Sequence, residues 1–179
     1  RQNEINDGLS QQISITITPL KNWNIIGELN IKTDNNWTHY EHKRVYSHMA
    51  NDPEKTYVAT MTGPSEDKVY EYAYKSLFLN PNVYTNYDIT LGQHTIAATA
   101  GMQIERQKYR DVSAQRADMI STDLPVLNLT TSSQSYGISG VVQEWASAGF
   151  FGRINYDYAG RYLVEGNLRY DGSSRFRRG

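Results

Sequence analysis

The stretch FFGRINYDYAGRYLVEGNLRY, residues 150–170, alternates in side-chain character with a period of two. Mainly aromatic and aliphatic residues occupy the even positions, and the odd positions carry mainly polar or charged residues. A period of two predicts β-strands with one apolar and one polar face. The alternation is interrupted at Ala159-Gly160 and then resumes, so these two residues predict the turn of a β-hairpin.

Working outward, two earlier parts of the chain repeat this design. The first pair of strands is predicted at Ile13–Thr18 and Trp23–Lys32, around a turn at Pro19–Asn22. The second pair is predicted at Val83–Leu91 and Thr95–Glu105, around a turn at Gly92–Gln93. The chain is therefore predicted to be all-β, with six antiparallel strands in three hairpins. Helical periodicity is weak, although a short helix near residues 113–120 is possible.

The connections between strands alternate in length. Turns within hairpins are tight, whereas the linkers between hairpins, at about 34–76 and 110–148, are long. Short turns on one side and long loops on the other are typical of outer-membrane β-barrels. We therefore expect a meander that forms part of a large transmembrane barrel, with both linkers outside the cell. Gln134–Gln143 also alternates and is assigned to the second external loop, either as loop or as a strand outside the membrane. Val69–Tyr74 is interpreted as a possible extension of the third strand.

The two faces of the predicted strands differ in chemistry. We expect an apolar outer band formed by Val83, Tyr87, Ile89, Ile96, Ala98, Ile104, Ile154 and Leu168. The opposite face mixes amides with charges of both signs, which suits a hydrated lumen better than bulk water. The residues predicted to face the lumen are Glu28, Asp88, Arg153, Asn155, Glu165 and Arg169. The alternative is a soluble β-sandwich that binds carbohydrate, in which a second sheet would cover the apolar residues.

The composition excludes some functions. Lys and Arg total 18 against 19 Asp and Glu, a net charge of −1, and a nucleic-acid-binding domain would usually show a basic excess. Without cysteine, the chain can form neither disulfides nor thiolate metal sites. There are 14 Tyr against 4 Phe, and tyrosine is favoured where an apolar environment meets water. Tyr156, Tyr158 and Tyr162 are accordingly expected at a membrane interface.

No catalytic motif is recognisable, so the chain is not expected to be an enzyme or to hold a cofactor. His39, His42 and His48 lie near Glu41 but lack the spacing of a fixed metal site, and no metal is expected. Four aromatic residues of the first linker are the candidates for substrate contact: Trp37, Tyr40, Tyr46 and Tyr57. Their flat rings could stack on sugars or on peptide side chains.

Gly149 to Phe176, which ends in DGSSRF, resembles the mid-barrel signature of SusC/RagA-like TonB-dependent transporters. That family's pattern runs approximately FGRxNYxYxxRYL and then RxDGSSRF. The hairpin from Asn86 to Gly101 is similar to the one that precedes the signature in the family. The resemblance is strong from Tyr84 onward and weaker in the long linkers.

The resemblance implies an outer-membrane importer of a Gram-negative bacterium. It implies a barrel of twenty-two strands around a plug, import of oligosaccharides or peptides, energy from the TonB complex, and a SusD-like lipoprotein lid. Residues 1–179 are expected to be a barrel segment without the plug. Its first and last strands, Ile13–Thr18 and Leu163–Arg169, are expected to pair with strands of a longer polypeptide, because hydrocarbon cannot satisfy an open sheet edge.

Overall fold

A computed structural model describes residues 1–58, 66–132 and 135–176. The strands are β1 (Gln2–Leu20), β2 (Trp23–His42), β3 (Tyr46–Met49), β4 (Asp52–Val58), β5 (Lys68–Leu91), β6 (His94–Ala117), β7 (Ser135–Tyr158) and β8 (Tyr162–Ser173). Six of them form one sheet in the order β1-β2-β5-β6-β7-β8, and β3 pairs with β4 in a separate hairpin. The prediction of an all-β antiparallel sheet with six long strands is confirmed.

The three long hairpins close through tight turns whose backbone has positive φ. Asn22, Gly92 and Gly160 have φ values of 64°, 64° and 66°. Ala159 has a φ of 52°, so both central residues of the last turn are left-handed, as in the turns that match the twist of paired strands. Asp157 Oδ1 accepts a hydrogen bond from the Gly160 N–H at 2.7 Å, which holds this turn closed.

The register of the last hairpin explains the period of two. Phe150 pairs with Tyr170, Ile154 with Gly166, and Tyr158 with Tyr162. The intervening pairs bring Arg153 opposite Asn167 and Asn155 opposite Glu165. Since successive side chains point to opposite faces of a strand, one face of this hairpin is mainly apolar and the other mainly polar.

The strands extend well beyond the predicted bounds. β5, β6 and β7 each contain 24 residues, so the ends of the predicted loops 34–76 and 110–148 are strand rather than loop. The possible helix at residues 113–120 is wrong, because β6 continues to Ala117 and the chain turns at Asp118, with a φ of 59°. The suspected extension at Val69–Tyr74 belongs to β5. The alternating segment before Gln143 belongs to β7 from Ser135 onward, while Gln134 lies outside the described residues.

These extensions have a simple cause. The predicted strand lengths follow the runs of apolar residues. In the structure a strand continues for as long as its backbone N–H and C=O groups find hydrogen-bonding partners on a neighbouring strand. Polar segments such as Asp34–His42 can therefore remain strands. Within the first linker β3 and β4 form an additional hairpin, with Tyr46 paired to Val58. In the second linker Met119 bridges to Thr130.

The chain contains two compact units. The turn-side unit comprises residues 8–33, 76–109 and 143–179, and the linker-side unit comprises residues 1–7, 34–75 and 110–142. Among the described residues, the buried apolar side chains are Ile26, Val69 and Ala117. So few buried residues indicate a single layer rather than two packed sheets. The described residues contain no helix with the length and apolar character to cross a membrane.

Candidate functional site: the two faces of the sheet

The apolar face of the turn-side unit is uncovered. Val83, Ile154 and Leu168 are 51%, 58% and 79% exposed, which excludes burial between two sheets. Tyr87 and Ile96 are also exposed, and Ile89, Ala98 and Ile104 are half-buried. The sandwich alternative required a second sheet over these residues. The described part of the chain contains one six-stranded sheet and one small hairpin, so that alternative is wrong.

An aromatic cluster lies at the turn end of this face. His94 Nδ1 is 2.7 Å from the Tyr156 hydroxyl, and the His94 ring centroid is 4.9 Å from that of Tyr158. Tyr158 and Tyr162 are stacked with centroids 6.4 Å apart. The three tyrosines that were predicted to lie at a membrane interface are thus neighbours, and His94 contacts two of them. Rings that carry a polar atom suit the boundary between hydrocarbon and water.

A charged cluster limits the apolar face farther along β6 and β7. Arg106 Nε donates to Glu144 Oε1 at 2.7 Å, and Lys108 Nζ is 3.8 Å from Glu144 Oε2. Arg106 and Lys108 share the strand face of Ile96 and Ile104, because all four positions are even-numbered in β6. The apolar part of this face is therefore bounded by rings at one end and by ions at the other.

The predicted polar-face residues form cross-strand hydrogen bonds. Arg153 Nη2 donates to Glu165 Oε2 at 2.6 Å. Asn155 lies beside both, and its amide can donate to Glu165 at 2.9 Å while accepting from Arg153 at 3.3 Å. Glu28, on β2, accepts a hydrogen bond of 3.2 Å from the Tyr84 hydroxyl on β5.

The two remaining predicted residues lie at opposite ends of the turn-side unit. Arg169 Nε donates to Asp171 Oδ2 at 2.8 Å, and its Nη2 donates to Gln103 at 3.3 Å. Asp88 lies near the first turn, where its backbone N–H donates to the Asn22 carbonyl at 3.0 Å. The structure therefore joins Arg153, Asn155 and Glu165 in one cluster, and Glu28, Asp88 and Arg169 lie apart from it.

The polar face has further members, of which Asn80, Asn82 and Trp145 lie outside the predicted strands. Asn30 Nδ2 donates to Asn80 Oδ1 at 3.2 Å, and Asn82 donates to the same oxygen at 3.0 Å. Trp145 donates its indole N–H to Gln107 at 3.0 Å. Asn30 lies in the predicted strand Trp23–Lys32 at a polar-face position. Extending the period of two through residues 76–82 and 143–149 would have added Asn80, Asn82 and Trp145 to the same face.

The structure separates two of the four candidate aromatic residues, Trp37 and Tyr40. Trp37 donates its indole N–H to Glu71 Oε2 at 2.9 Å, whereas Tyr40 contacts His42 through its hydroxyl and by an edge-to-face ring contact at 4.6 Å. Trp37 and Tyr40 are odd and even positions of β2, so their side chains leave opposite faces. Tyr46 is 55% exposed in β3, and Tyr57 is in β4 with its side chain outside the described residues.

Three other tyrosines of the linker-side unit were overlooked. Tyr70, Tyr72 and Tyr74 occupy every second position of β5 and are all half-buried. Their spacing of two residues could have identified them in the sequence, because it places three rings on one face of a strand.

The described residues contain no group of three or more His, Cys, Asp or Glu side chains that could hold a metal ion. His39 Nδ1 instead lies 2.6 Å from Glu71 Oε1.

Comparison with known proteins agrees with this geometry. Two relatives from Formosa agariphila match in sequence: TonB-dependent receptor P3, 25% identical over 68% of this chain, and TonB-dependent receptor P39, 35% identical over 55%. The structure of the RagAB peptide transporter superposes on 97% of this chain with a TM-score of 0.75 and 22% identity. The chain resembles a segment of a SusC/RagA-like TonB-dependent transporter. The resemblance predicted from the sequence is thereby confirmed.

A second solved structure shares this fold. The open-open state of the RagAB peptide importer gives a TM-score of 0.74 at 21% identity. No protein-family model matches the chain. The chain spans 10–12% of the length of the two receptors and 18–19% of the RagAB chains. These relatives are named as receptors and transporters rather than as enzymes, in agreement with the expectation that the chain is not an enzyme.

Proposed function

We propose that this chain forms part of the barrel wall of an outer-membrane nutrient importer in a Gram-negative bacterium. The observation that carries the proposal is the contrast between the two faces of the turn-side unit. One face leaves side chains such as Leu168, 79% exposed, without cover, and the other connects its polar groups across strands, as in the Arg153–Glu165 pair. A bilayer on the apolar side and a hydrated lumen on the polar side explain both faces.

The membrane placement follows from the boundaries of the apolar face. The cluster around His94, Tyr156, Tyr158 and Tyr162 is assigned to the periplasmic interface, and Arg106, Lys108 and Glu144 to the external one. The long linkers are then extracellular. The six residues predicted to face the lumen, Glu28, Asp88, Arg153, Asn155, Glu165 and Arg169, all have the strand parity of the polar face, which supports their assignment to the barrel interior.

The sheet edges indicate that other strands complete the barrel. Among the strands that the structure describes, β1 and β8 are the outer ones of the sheet order, each paired on one side only. Unpaired N–H and C=O groups cost several kcal/mol each in hydrocarbon. In the intact protein we therefore expect β1 and β8 to pair with further strands around a plug. Energy from the TonB complex, a SusD-like lipoprotein lid and import of oligosaccharides or peptides complete the proposal, supported by the names and the fold of the similar proteins.

Spin labels on the full-length protein in liposomes test the placement. Labels replacing Ile154, Asn155 and Tyr158 should differ in accessibility to oxygen, which partitions into hydrocarbon, and to a water-soluble nickel complex. We expect the label at 154 to favour oxygen, the label at 155 to favour nickel, and the label at 158 to report the interface. A label at 158 that reads the bilayer midplane, or equal accessibility at 154 and 155, contradicts the placement. Uptake of labelled nutrients that survives loss of TonB would contradict the importer assignment.

A further inference from the structure

We propose that the Arg175 guanidinium binds a carboxylate carried by another segment of the full-length polypeptide inside the barrel. Arg175 lies in the turn-side unit, with its guanidinium carbon over the Trp145 ring at 4.9 Å from the ring centroid. The inference rests on the proposed function in one respect, since it takes the polar face of this unit as the inner wall of a barrel. It adds a binding site and the chemistry of its ligand.

The backbone at Arg175 is held by the two serines that precede it. β8 ends at Ser173. Beyond that residue the Ser174 N–H donates to the Ala146 carbonyl at 2.8 Å, and Ser174 Oγ accepts from the Ala146 N–H at 2.9 Å. The Arg175 N–H donates to Ser173 Oγ at 3.3 Å. These hydrogen bonds keep the chain against β7 next to Trp145, so the position of Arg175 is determined by its neighbours.

The Trp145 ring is oriented by hydrogen bonds across the sheet. Its indole N–H donates to Gln107 Oε1 on β6 at 3.0 Å, and Gln107 Nε2 donates to Ser76 Oγ on β5 at 3.4 Å. Ser76 is buried, so this series of bonds ends in a fixed residue. The ring covers one side of the Arg175 guanidinium and leaves N–H donors at its edge accessible. A carboxylate can accept two such donors at once.

Arg175 differs from the other two arginines of the polar face in having no ion pair. Arg153 is paired with Glu165 at 2.6 Å, and Arg169 with Asp171 at 2.8 Å. Arg175 has an exposed side chain and no ion pair among the described residues, which include all 19 Asp and Glu of the chain. A carboxylate that pairs with Arg175 therefore comes from outside residues 1–179.

The charges of the polar face favour a tethered ligand over a free one. In the turn-side unit six carboxylates share this face with four cations: Glu28, Asp88, Glu105, Asp157, Glu165 and Asp171 against Lys32, Arg153, Arg169 and Arg175. The excess of negative charge repels a freely diffusing anion. One solvent-accessible ion pair is also too weak to hold a dilute solute. A segment of the same polypeptide has a high effective concentration, so a single pair suffices to hold it.

Carbodiimide cross-linking of the purified full-length protein tests the proposal. The carbodiimide activates a carboxyl group, and a lysine amine in contact with it forms an amide. One water is lost in total and is taken up by the carbodiimide, which becomes a urea. Arg175→Lys keeps a positive charge over the Trp145 ring. In this variant we expect an amide between position 175 and an Asp or Glu outside residues 1–179, identified by mass spectrometry of the digested protein.

Two further variants provide the controls. Arg153→Lys is matched to Arg175→Lys, because it lies on the same face and has a known partner, so it should be cross-linked to Glu165. Trp145→Leu removes the ring beneath the cation. It should lower the cross-link yield of Arg175→Lys by about threefold or more and leave that of Arg153→Lys unchanged. Once the partner is identified, Arg175→Glu should lower the Tm, and replacing the partner carboxylate by arginine in that variant should restore it.

The inference is wrong if position 175 gives no cross-link while position 153 does, or if its cross-links lead only to Asp or Glu of residues 1–179. An unchanged yield in Trp145→Leu also contradicts it. Folding of each variant is checked by the resistance of the barrel to denaturation in gel electrophoresis. The spin-label accessibilities at 154 and 155 distinguish the two proposals. If they match expectation while position 175 gives no cross-link, the barrel assignment stands and the carboxylate site alone is wrong.

Discussion

Trp23 and Thr85 are joined on the mainly apolar face of the turn-side unit: the indole N–H donates to Thr85 Oγ1 at 2.6 Å. The Thr85 hydroxyl in turn donates to the backbone carbonyl of Asn24 at 3.0 Å. The two bonds connect β2 to β5 and satisfy three polar atoms where lipid would offer none. The hydroxyl is the centre of this small network, because it both accepts and donates.

The first prediction concerns this network. Thr85→Val should cost about 1–3 kcal/mol of unfolding free energy, because it leaves the indole N–H without its partner. In Trp23→Phe the part of the stability loss that comes from hydrogen bonding should be smaller, because the hydrogen bond from Thr85 to the Asn24 carbonyl remains. The double variant should lose less than the sum of the single losses. Denaturant titration of the full-length barrel in liposomes measures all three, and strict additivity would show that the two side chains are not coupled.

The second prediction compares two adjacent residues on opposite faces. Ile154→Arg places a charge on the apolar face and should cost about 2–4 kcal/mol of barrel stability if that face meets the bilayer interior. Asn155→Arg introduces the same charge one residue later, on the polar face, and should cost much less. The same folding titration provides the comparison. Equal penalties would contradict the assignment of inside and outside.

The third prediction tests the close approach at Gly101. A Cβ added there would lie 2.5 Å from Tyr84 Cβ and 2.8 Å from the Val83 carbonyl oxygen. Gly101→Ala should therefore destabilise the barrel by about 1–3 kcal/mol, the range for overpacking. Gly27→Ala is the control, because its Cβ would meet nothing within 4 Å. If both variants unfold at the same denaturant concentration, the strands near Gly101 must be farther apart than described.

The fourth prediction concerns the last turn. Gly160→Ala should cost about 1–2 kcal/mol, because Gly160 has a φ of 66° and a Cβ is disfavoured in the left-handed region. Ala159→Gly should instead raise the free energy of unfolding, by less than about 1 kcal/mol. The substitution removes the strain of a Cβ at a φ of 52°, but the greater chain entropy of an unfolded glycine offsets part of this gain. Thermal unfolding of the purified variants checks both signs, and a stabilising Gly160→Ala would contradict the turn geometry.

Much of the fold could be predicted because one face of the strands is apolar. Wherever Ile, Val and Leu recur at every second position, as in Ile13–Thr18 or Val83–Leu91, the period of two determines strand, face and turn together. The prediction fails at Asp34–His42 and Arg110–Ala117, where neither face is mainly apolar, whereas the possible extension of the third strand at Val69–Tyr74 is part of β5. There the strand exists because a neighbouring backbone is available for hydrogen bonding, and that neighbour is distant in the sequence.

The candidate site residues also differ in how far local side-chain alternation could predict them. The six polar-face residues could be chosen from parity alone, because parity is a local property. Trp37 was grouped with Tyr40 because both are aromatic and close in sequence, yet the strand separates them onto opposite faces. Tyr70, Tyr72 and Tyr74 were not among the candidates, although Val69–Tyr74 was interpreted as a possible extension of the third strand.

The sequence by itself therefore determined the elements: six long strands, three tight turns, and the two chemically distinct faces of residues 83–105 and 149–170. These follow from side-chain alternation and turn residues, which act over a few positions. Only the tertiary structure decided where the strands end, which polar residues meet, such as Arg153 with Glu165 and Glu28 with Tyr84, and which tyrosines share a face. Those outcomes depend on register between strands as far apart as β2 and β5, and register is set by the pairing of the whole sheet.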